Sequence, residues 1–354
     1  NASTQCHVAQ DASWAVSALR DWDVELDQNE KRKVELLFAR RQGNTGVFAE
    51  LAQLALNRDV PAIWRGTAAE ALGDQGAQQI PVVAKALMQS HNPLLRASAV
   101  RSLERATLTE RYQLLQPFLK ETNTAVAMEI AAALAGVPPE QLPQNDRTAL
   151  QDLFERYLAV QAKHADMPSV LMQLGRFYSD RGDIPRAEDA YREALQIDSR
   201  MVTAYLNLAD LARAQGDESR ARDLIKSALA VAPNDADVNH AMGLLEVRSK
   251  NHALALDYLQ RAAGLETDGI RYRYVYAIAL HDLGDPVKAV SELQSALAIT
   301  PTSIDVLIAL VNYLAELRDY SAAVVYAERL VALLPDNAQY AQMLHRLKSL
   351  SDKQ

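Results

Sequence analysis

The sequence predicts an all-α protein, an α-α superhelix (solenoid) of helical hairpins stacked in two consecutive arrays. Three observations predict it. Apolar residues make up 49% of the 354 residues but aromatics only 6%, with glycine and proline at 13 each, the profile of helices that pack closely through small side chains. In the C-terminal half, Ala187, Ala221, Ala255, Ala289 and Ala323 recur at a spacing of 34. Upstream, Trp64, Leu95 and Val126 recur at a spacing of 31.

Residues 1–33 read as an N-terminal segment that ends in a helix. It begins "NASTQCHVAQDASWAVSALRDW" and carries the chain's single cysteine, Cys6, directly before His7. One cysteine excludes an internal disulfide framework.

Residues 34–136 hold the 31-residue period. Ala68, Ala99 and Ile130 follow its first positions, then Leu72, Leu103 and Leu134, and Arg65 and Arg96 take matching places. Pro61 and Pro93 open two of the helices, where a missing N–H costs nothing. This segment resembles HEAT repeats, which imply paired helices in a solenoid.

Residues 137–167 form a linker and a capping half-repeat. "VPPEQLP" breaks the helical pattern, and Leu153 and Tyr157 then stand one 34-residue period before Ala187 and Tyr191.

Residues 168–336 contain five units. Ala194, Ala228, Ala262, Ala296 and Leu330 keep register, as do Gly175, Ala209, Gly243, Ala277 and Val311. Small residues belong where two antiparallel helices approach most closely. Gly182-Asp183, Gly216-Asp217, Lys250-Asn251, Gly284-Asp285 and Arg318-Asp319 mark the turns. Glycine there ends one helix in a left-handed turn, and the next residue caps the following helix. Pro233, Pro301 and Pro335 close three units. The pattern resembles the tetratricopeptide repeat; the departures are the missing fourth-position Trp and Lys250 in place of glycine. Residues 337–354 read as a capping helix with a polar outer face.

The chemistry-bearing residues do not converge. No glycine-rich phosphate loop, His-Glu-x-x-His or G-x-S-x-G is present, and the seven histidines are scattered without metal-ligand spacing. No catalytic residue and no metal site is expected, and the chain is not read as an enzyme. The net charge of −8, from 37 basic and 45 acidic residues without a basic run, argues against nucleic acid as a partner. No stretch approaches the roughly 18 apolar residues of a membrane span. Oligomeric state is not written in the pattern.

What remains is the concave wall. The tetratricopeptide resemblance implies that the first helix of each pair lines it. Its groove positions fall on Met172 and Arg176; Leu206, Asp210 and Arg213, with Asn207 beside them; His240 and Leu244; Arg271, Tyr274, Ile278 and His281; and Ile308 and Asn312. Arginines for carboxylates and apolar pockets for side chains suit a protein or peptide partner. The lysine-and-asparagine clamp that some family members close on a C-terminal carboxylate is not reproduced.

Cys6-His7 is the second half of C-x-x-C-H, in which two thiolates bond the haem vinyls and the histidine ligates the iron. Ser3 occupies the first cysteine's place and cannot form a thioether. With Asn1-Ala2, Trp14-Ala15 and Trp22, the stretch resembles a segment of multihaem c-type cytochromes that carry C-terminal tetratricopeptide repeats. The resemblance implies a larger, exported, periplasmic parent in which Cys6 and His7 belong to a haem c site. No cofactor is expected in the chain as it stands. The alternative is a stand-alone cytoplasmic adaptor or co-chaperone-like protein unrelated to haem.

Overall fold

The structure, a computed structural model, describes residues 28–41, 44–73, 77–265, 270–335 and 337–353. These residues form nineteen α-helices, short 3-10 turns and no strand. Cys6, His7, Trp14 and Trp22 lie outside them.

The first array comprises α1 (Gln28–Arg41), α2 (Phe48–Leu56), α3 (Ala62–Gly73), α4 (Ile80–Met88), α5 (Pro93–Arg101), α6 (Leu108–Leu115) and α7 (Thr124–Ala133). Local chemistry starts these helices. The Asn92 side chain accepts the Leu94 N–H ahead of Pro93, Asn123 accepts the Val126 N–H, and Thr107 and Glu110 form a reciprocal capping box. Helices α3, α5 and α7 stand side by side. Most of the 31-residue period lies in their shared core: Ala68, Ala99, Ile130, Leu72 and Leu134 are 0% exposed and Leu103 1%, while Trp64 is half-buried. The matching arginines have a common task. Arg65 Nε donates at 2.9 Å to the Ala55 carbonyl in the last turn of α2, and Arg96 Nη1 at 2.8 Å to the Ser90 carbonyl just beyond α4. At Gly73 a Cβ would lie 2.3 Å from the Ser102 carbonyl oxygen, so α3 approaches the end of α5 only because that side chain is missing.

The proline-rich stretch after α7 makes a 3-10 turn, Pro139–Gln141, and leads into the 18-residue α8 (Gln144–Gln161). Five hairpins follow: α9 (Pro168–Asp180) with α10 (Ile184–Ile197), α11 (Val202–Ala214) with α12 (Glu218–Val231), α13 (Ala236–Arg248) with α14 (His252–Leu265), α15 (Arg271–Asp282) with α16 (Pro286–Ile299), and α17 (Ile304–Glu316) with α18 (Tyr320–Leu333). Helix α19 (Ala338–Ser351) packs on α18, with Leu347 buried and Tyr340, Met343 and Leu344 partly so.

Four of the five turns show the expected capping bond. Asp183, Asp217, Asp285 and Asp319 accept the N–H groups of Arg186, Arg220, Lys288 and Ala322 at 3.3, 2.9, 3.1 and 3.0 Å. Gly182, Gly216 and Gly284 hold φ of 73°, 80° and 97°. Lys250 and Arg318 take φ of 61° at the equivalent places, so the hairpin geometry persists there against roughly 1 kcal/mol of left-handed strain. The period-34 alanines are buried, at 0–1% exposure except Ala209 at 4%. At Gly175 a Cβ would meet the Tyr191 ring at 2.3 Å, which shows how closely α9 and α10 approach.

Successive hairpins are also tied by charge. Glu188 on α10, 7% exposed, accepts Arg220 on α12 at 2.7 and 3.0 Å. Glu246 on α13, 3% exposed, accepts Arg222 of α12 and, at 2.6 Å, Asn251 of the turn beyond. The two arrays meet in continuous core: the buried cluster that begins at Leu36 runs through Leu153, Phe154 and Tyr157 of α8 to Phe177 of α9.

Candidate functional site

The first helices of the hairpins, α9, α11, α13, α15 and α17, carry all the predicted groove residues. The structure brings Leu206, Asn207, Asp210, Arg213, His240, Leu244 and Arg271 onto one cleft of about 530 Å³ between α11 and α13, closed at one end by the start of α15. Leu206 and Leu244 are half-buried and give an apolar floor, while Asp210, Arg213 and Arg271 are exposed at its sides.

The charges are loosely held. Arg213 reaches Asp210 one helical turn away at 3.3 Å, and Arg271 stands 3.6 Å from Asp237. Both pairs are solvent-exposed, so each costs little to open when a better partner arrives. Asp237 also accepts the Tyr272 hydroxyl, and the Arg271 guanidinium lies 5.2 Å over the Tyr272 ring. His240 is only 8% exposed and packs against Tyr272 at 5.0 Å. Burial and then the nearby Arg271 charge hold its imidazole below the ordinary histidine range, against the pull of Asp237. A neutral imidazole therefore lines the cleft, and its buried Nδ1 has no hydrogen-bond partner among the described residues.

The other predicted residues go elsewhere. Arg176 lines a separate cavity at the junction with the first array. Met172 packs against the Ala187–Tyr191 cluster, and Tyr274 and Ile308 against the core of the last hairpins. Ile278 is half-buried and Asn312 exposed. His281 stacks on Tyr313 at 3.7 Å and bonds Glu316 at 2.6 Å, which ties α15 to α17. Burial would lower its imidazole; hydrogen bonds to Glu316 and Asp282 outweigh that and raise it. Tyr313 is pushed up to about 12, first by burial and then by Asp282.

Two charged residues of the cleft escape the groove positions, Asp237 and Arg248. Their signal is helical spacing alone, one turn before His240 and one turn after Leu244. Arg248 is held by Glu218 at 3.0 Å.

The arrangement offers three guanidinium groups, two carboxylates and an apolar floor, without a nucleophile set beside a base. Among the described residues no three His, Cys, Asp or Glu side chains gather as metal ligands would, and no helix is long and apolar enough to cross a membrane.

Comparison with known proteins matches residues 178–245 and 280–347 to a tetratricopeptide repeat model, 240–304 to a second one, and 48–138 to HEAT repeats. A curated relative is anaphase-promoting complex subunit 3 of Schizosaccharomyces pombe, 26% identical over 132 residues, 37% of this chain and 20% of that protein. The chain thus spans about a fifth of that relative's length. Among solved structures, MamA is 21% identical over 49% of this chain and 94% of its own, with a TM-score of 0.41. Pseudomonas aeruginosa pilF is 22% identical over 54% and 86%, TM-score 0.44. YrrB, described as a TPR protein with an unusual peptide-binding site, is 21% identical over 54% and 97%, TM-score 0.40.

Proposed function

We propose that this scaffold of HEAT and tetratricopeptide repeats is non-catalytic and captures a protein or peptide partner in the cleft between α11 and α13. The observation that carries the reading is the convergence there of Arg213, Arg271 and Asn207 over the half-buried Leu206 and Leu244. Exposed guanidinium groups with weak intramolecular partners suit partner carboxylates, and a backbone or side-chain amide suits Asn207.

Charge reversal at Arg213 and Arg271 tests it. Each of R213E and R271E is expected to weaken partner capture about tenfold, since hydrogen bonds between charged groups are worth roughly 1.5–3 kcal/mol. Both side chains are exposed, so the melting temperature should stay where it is. Immobilised wild-type and variant chains are compared for the proteins they retain, and the affinity of the retained partner is then measured. Unchanged affinity rules out this surface.

The N-terminal resemblance extends the reading: the scaffold forms the C-terminal region of an exported multihaem cytochrome c and docks a partner near its haem chain. Cys6, His7 and Trp14-Ala15 support this from the sequence alone. The rival is a stand-alone cytoplasmic adaptor. Expressing the full-length gene product with cytochrome c maturation factors separates the two, by haem stain and absorbance spectrum. A colourless product removes the cytochrome.

A further inference from the structure

A second cavity, of about 400 Å³, lies apart from the cleft, where the two arrays meet. Helices α5, α6, α7, α8 and α9 all contribute to its wall. Its polar groups are unevenly satisfied. Arg101 is fully engaged, with Glu70 at 2.6 Å and Glu129 at 2.8 Å. Arg111 is different. Its Nε donates to the carbonyls of Leu103 and Ala106 at 3.0 Å, and its outer nitrogens reach those of Glu104 and Ala133. It makes no ion pair among the described residues; the carboxylates of Asp180 and Glu104 act on its charge only from beyond ion-pair distance.

Arg176 faces the same space. It stands 3.7 Å from Glu104 and 4.0 Å from Asp180, near enough to feel both charges but beyond hydrogen-bond distance. Burial raises the Asp180 carboxyl despite the opposing pull of Arg176 and Arg111. Burial, and then the charge of Arg176, lower the Arg111 guanidinium. Tyr157 is 4% exposed and accepts the Gln161 amide at 3.0 Å, while its own O–H donates to no group among the described residues. Phe177 and Met128 supply apolar wall.

Two under-compensated guanidinium groups, an uncommitted hydroxyl donor and a half-used carboxylate acceptor thus surround one apolar-walled space. We propose that this cavity binds a small organic carboxylate with a hydrogen-bond donor on the neighbouring carbon and an apolar side chain, that is, an α-amino or α-hydroxy acid. Its carboxylate lies between Arg111 and Arg176 and accepts the Tyr157 O–H. Its ammonium or hydroxyl donates to Asp180, and its side chain rests on Phe177 and Met128. The volume falls in the range of about 300–1,000 Å³ typical of small-molecule sites. Nothing in this assignment depends on a partner in the α11–α13 cleft.

Calorimetric titration of the full chain tests it, with L-phenylalanine, L-leucine, their α-hydroxy acid counterparts and L-phenylalaninamide as probes. At least one amino acid and its hydroxy acid counterpart are expected to bind, and the amide, which lacks the carboxylate, is not. Arg111 closes four carbonyls, so its removal would disturb the fold; Arg176, whose side chain is 68% exposed, gives the cleaner variant. Arg176→Ala is expected to weaken binding at least about tenfold with the melting temperature unchanged. Asp180→Asn is expected to weaken the amino acids more than the hydroxy acids, because only the former bring a positive charge. No binding by any acid up to about 10 mM, a concentration that reveals even millimolar affinity, overturns the assignment. So does equal binding of the amide, or unaltered affinity in Arg176→Ala.

Discussion

Phe177→Ala should destabilise the junction between the arrays by about 3–5 kcal/mol, the range for emptying a packed aromatic site. Phe177 is 2% exposed. Its ring stacks on Tyr157 with centroids 4.6 Å apart and meets Phe154 edge-on at 5.3 Å. Arg181 covers the Phe154 face at 4.5 Å and seals the group. Of α9, Phe177 is the buried side chain that belongs to the upstream core, so its loss strikes the coupling of the arrays and not merely one hairpin. Urea unfolding followed by circular dichroism should split into two separated transitions in the variant. Phe177→Leu, which refills much of the space, should show a smaller split. A single transition with an unshifted midpoint in Phe177→Ala would show that the aromatic group does not couple them.

Glu246→Ala should cost roughly 2–3 kcal/mol, less than the 3–5 of a wholly buried pair because Arg222 keeps some access to water. The Glu246 side chain is 4% exposed and that of Arg222 28%. Removing the carboxylate takes an acceptor from the Asn251 amide and from Arg222, which keeps only the Ser249 hydroxyl at 2.8 Å among the described residues, and it loosens α12 from α13. Burial by itself would raise this carboxyl; the hydrogen bonds from Arg222 and Asn251 prevail and hold it below the ordinary range. A depressed folded value contributes stability above the ordinary glutamate range and loses it as pH falls through the folded value. The gap between wild type and variant should therefore be full at pH 7 and shrink below about pH 4.3. A gap that stays constant from neutral to acid would assign the cost to packing alone.

The sequence reading and the structure agree where a local rule repeats. Alanine at every thirty-fourth position, an aspartate at the start of the second helix and a glycine before it are statements about one hairpin; the alanine recurs in all five hairpins, the aspartate in four and the glycine in three. Even Lys250 obeys: its φ of 61° shows the turn geometry overriding the residue. Agreement thins where position depends on contacts between hairpins. The groove register found Arg213 and Arg271, yet it gave no sign that His240 would be 8% exposed against Tyr272, a ring from the next hairpin. Arg176 sits at a groove position by register and faces Arg111 in space, because no period spans the change from 31 to 34 residues at the junction. Asp237 and Arg248 carried no signal beyond helical spacing for a similar reason: which charged side chain turns into a cleft is decided by its partners, here Tyr272 and Glu218, which lie on other helices.

Each hairpin of the second array grips chiefly the hairpins beside it. Such a ladder has a mechanical character that a globule lacks. Tension applied at its ends would be relieved rung by rung, each hairpin peeling away while the remainder keeps its shape. The molecule would then behave as a stepwise-yielding spacer, its extension growing in increments of one hairpin, and the weakest rung would decide where the first increment appears.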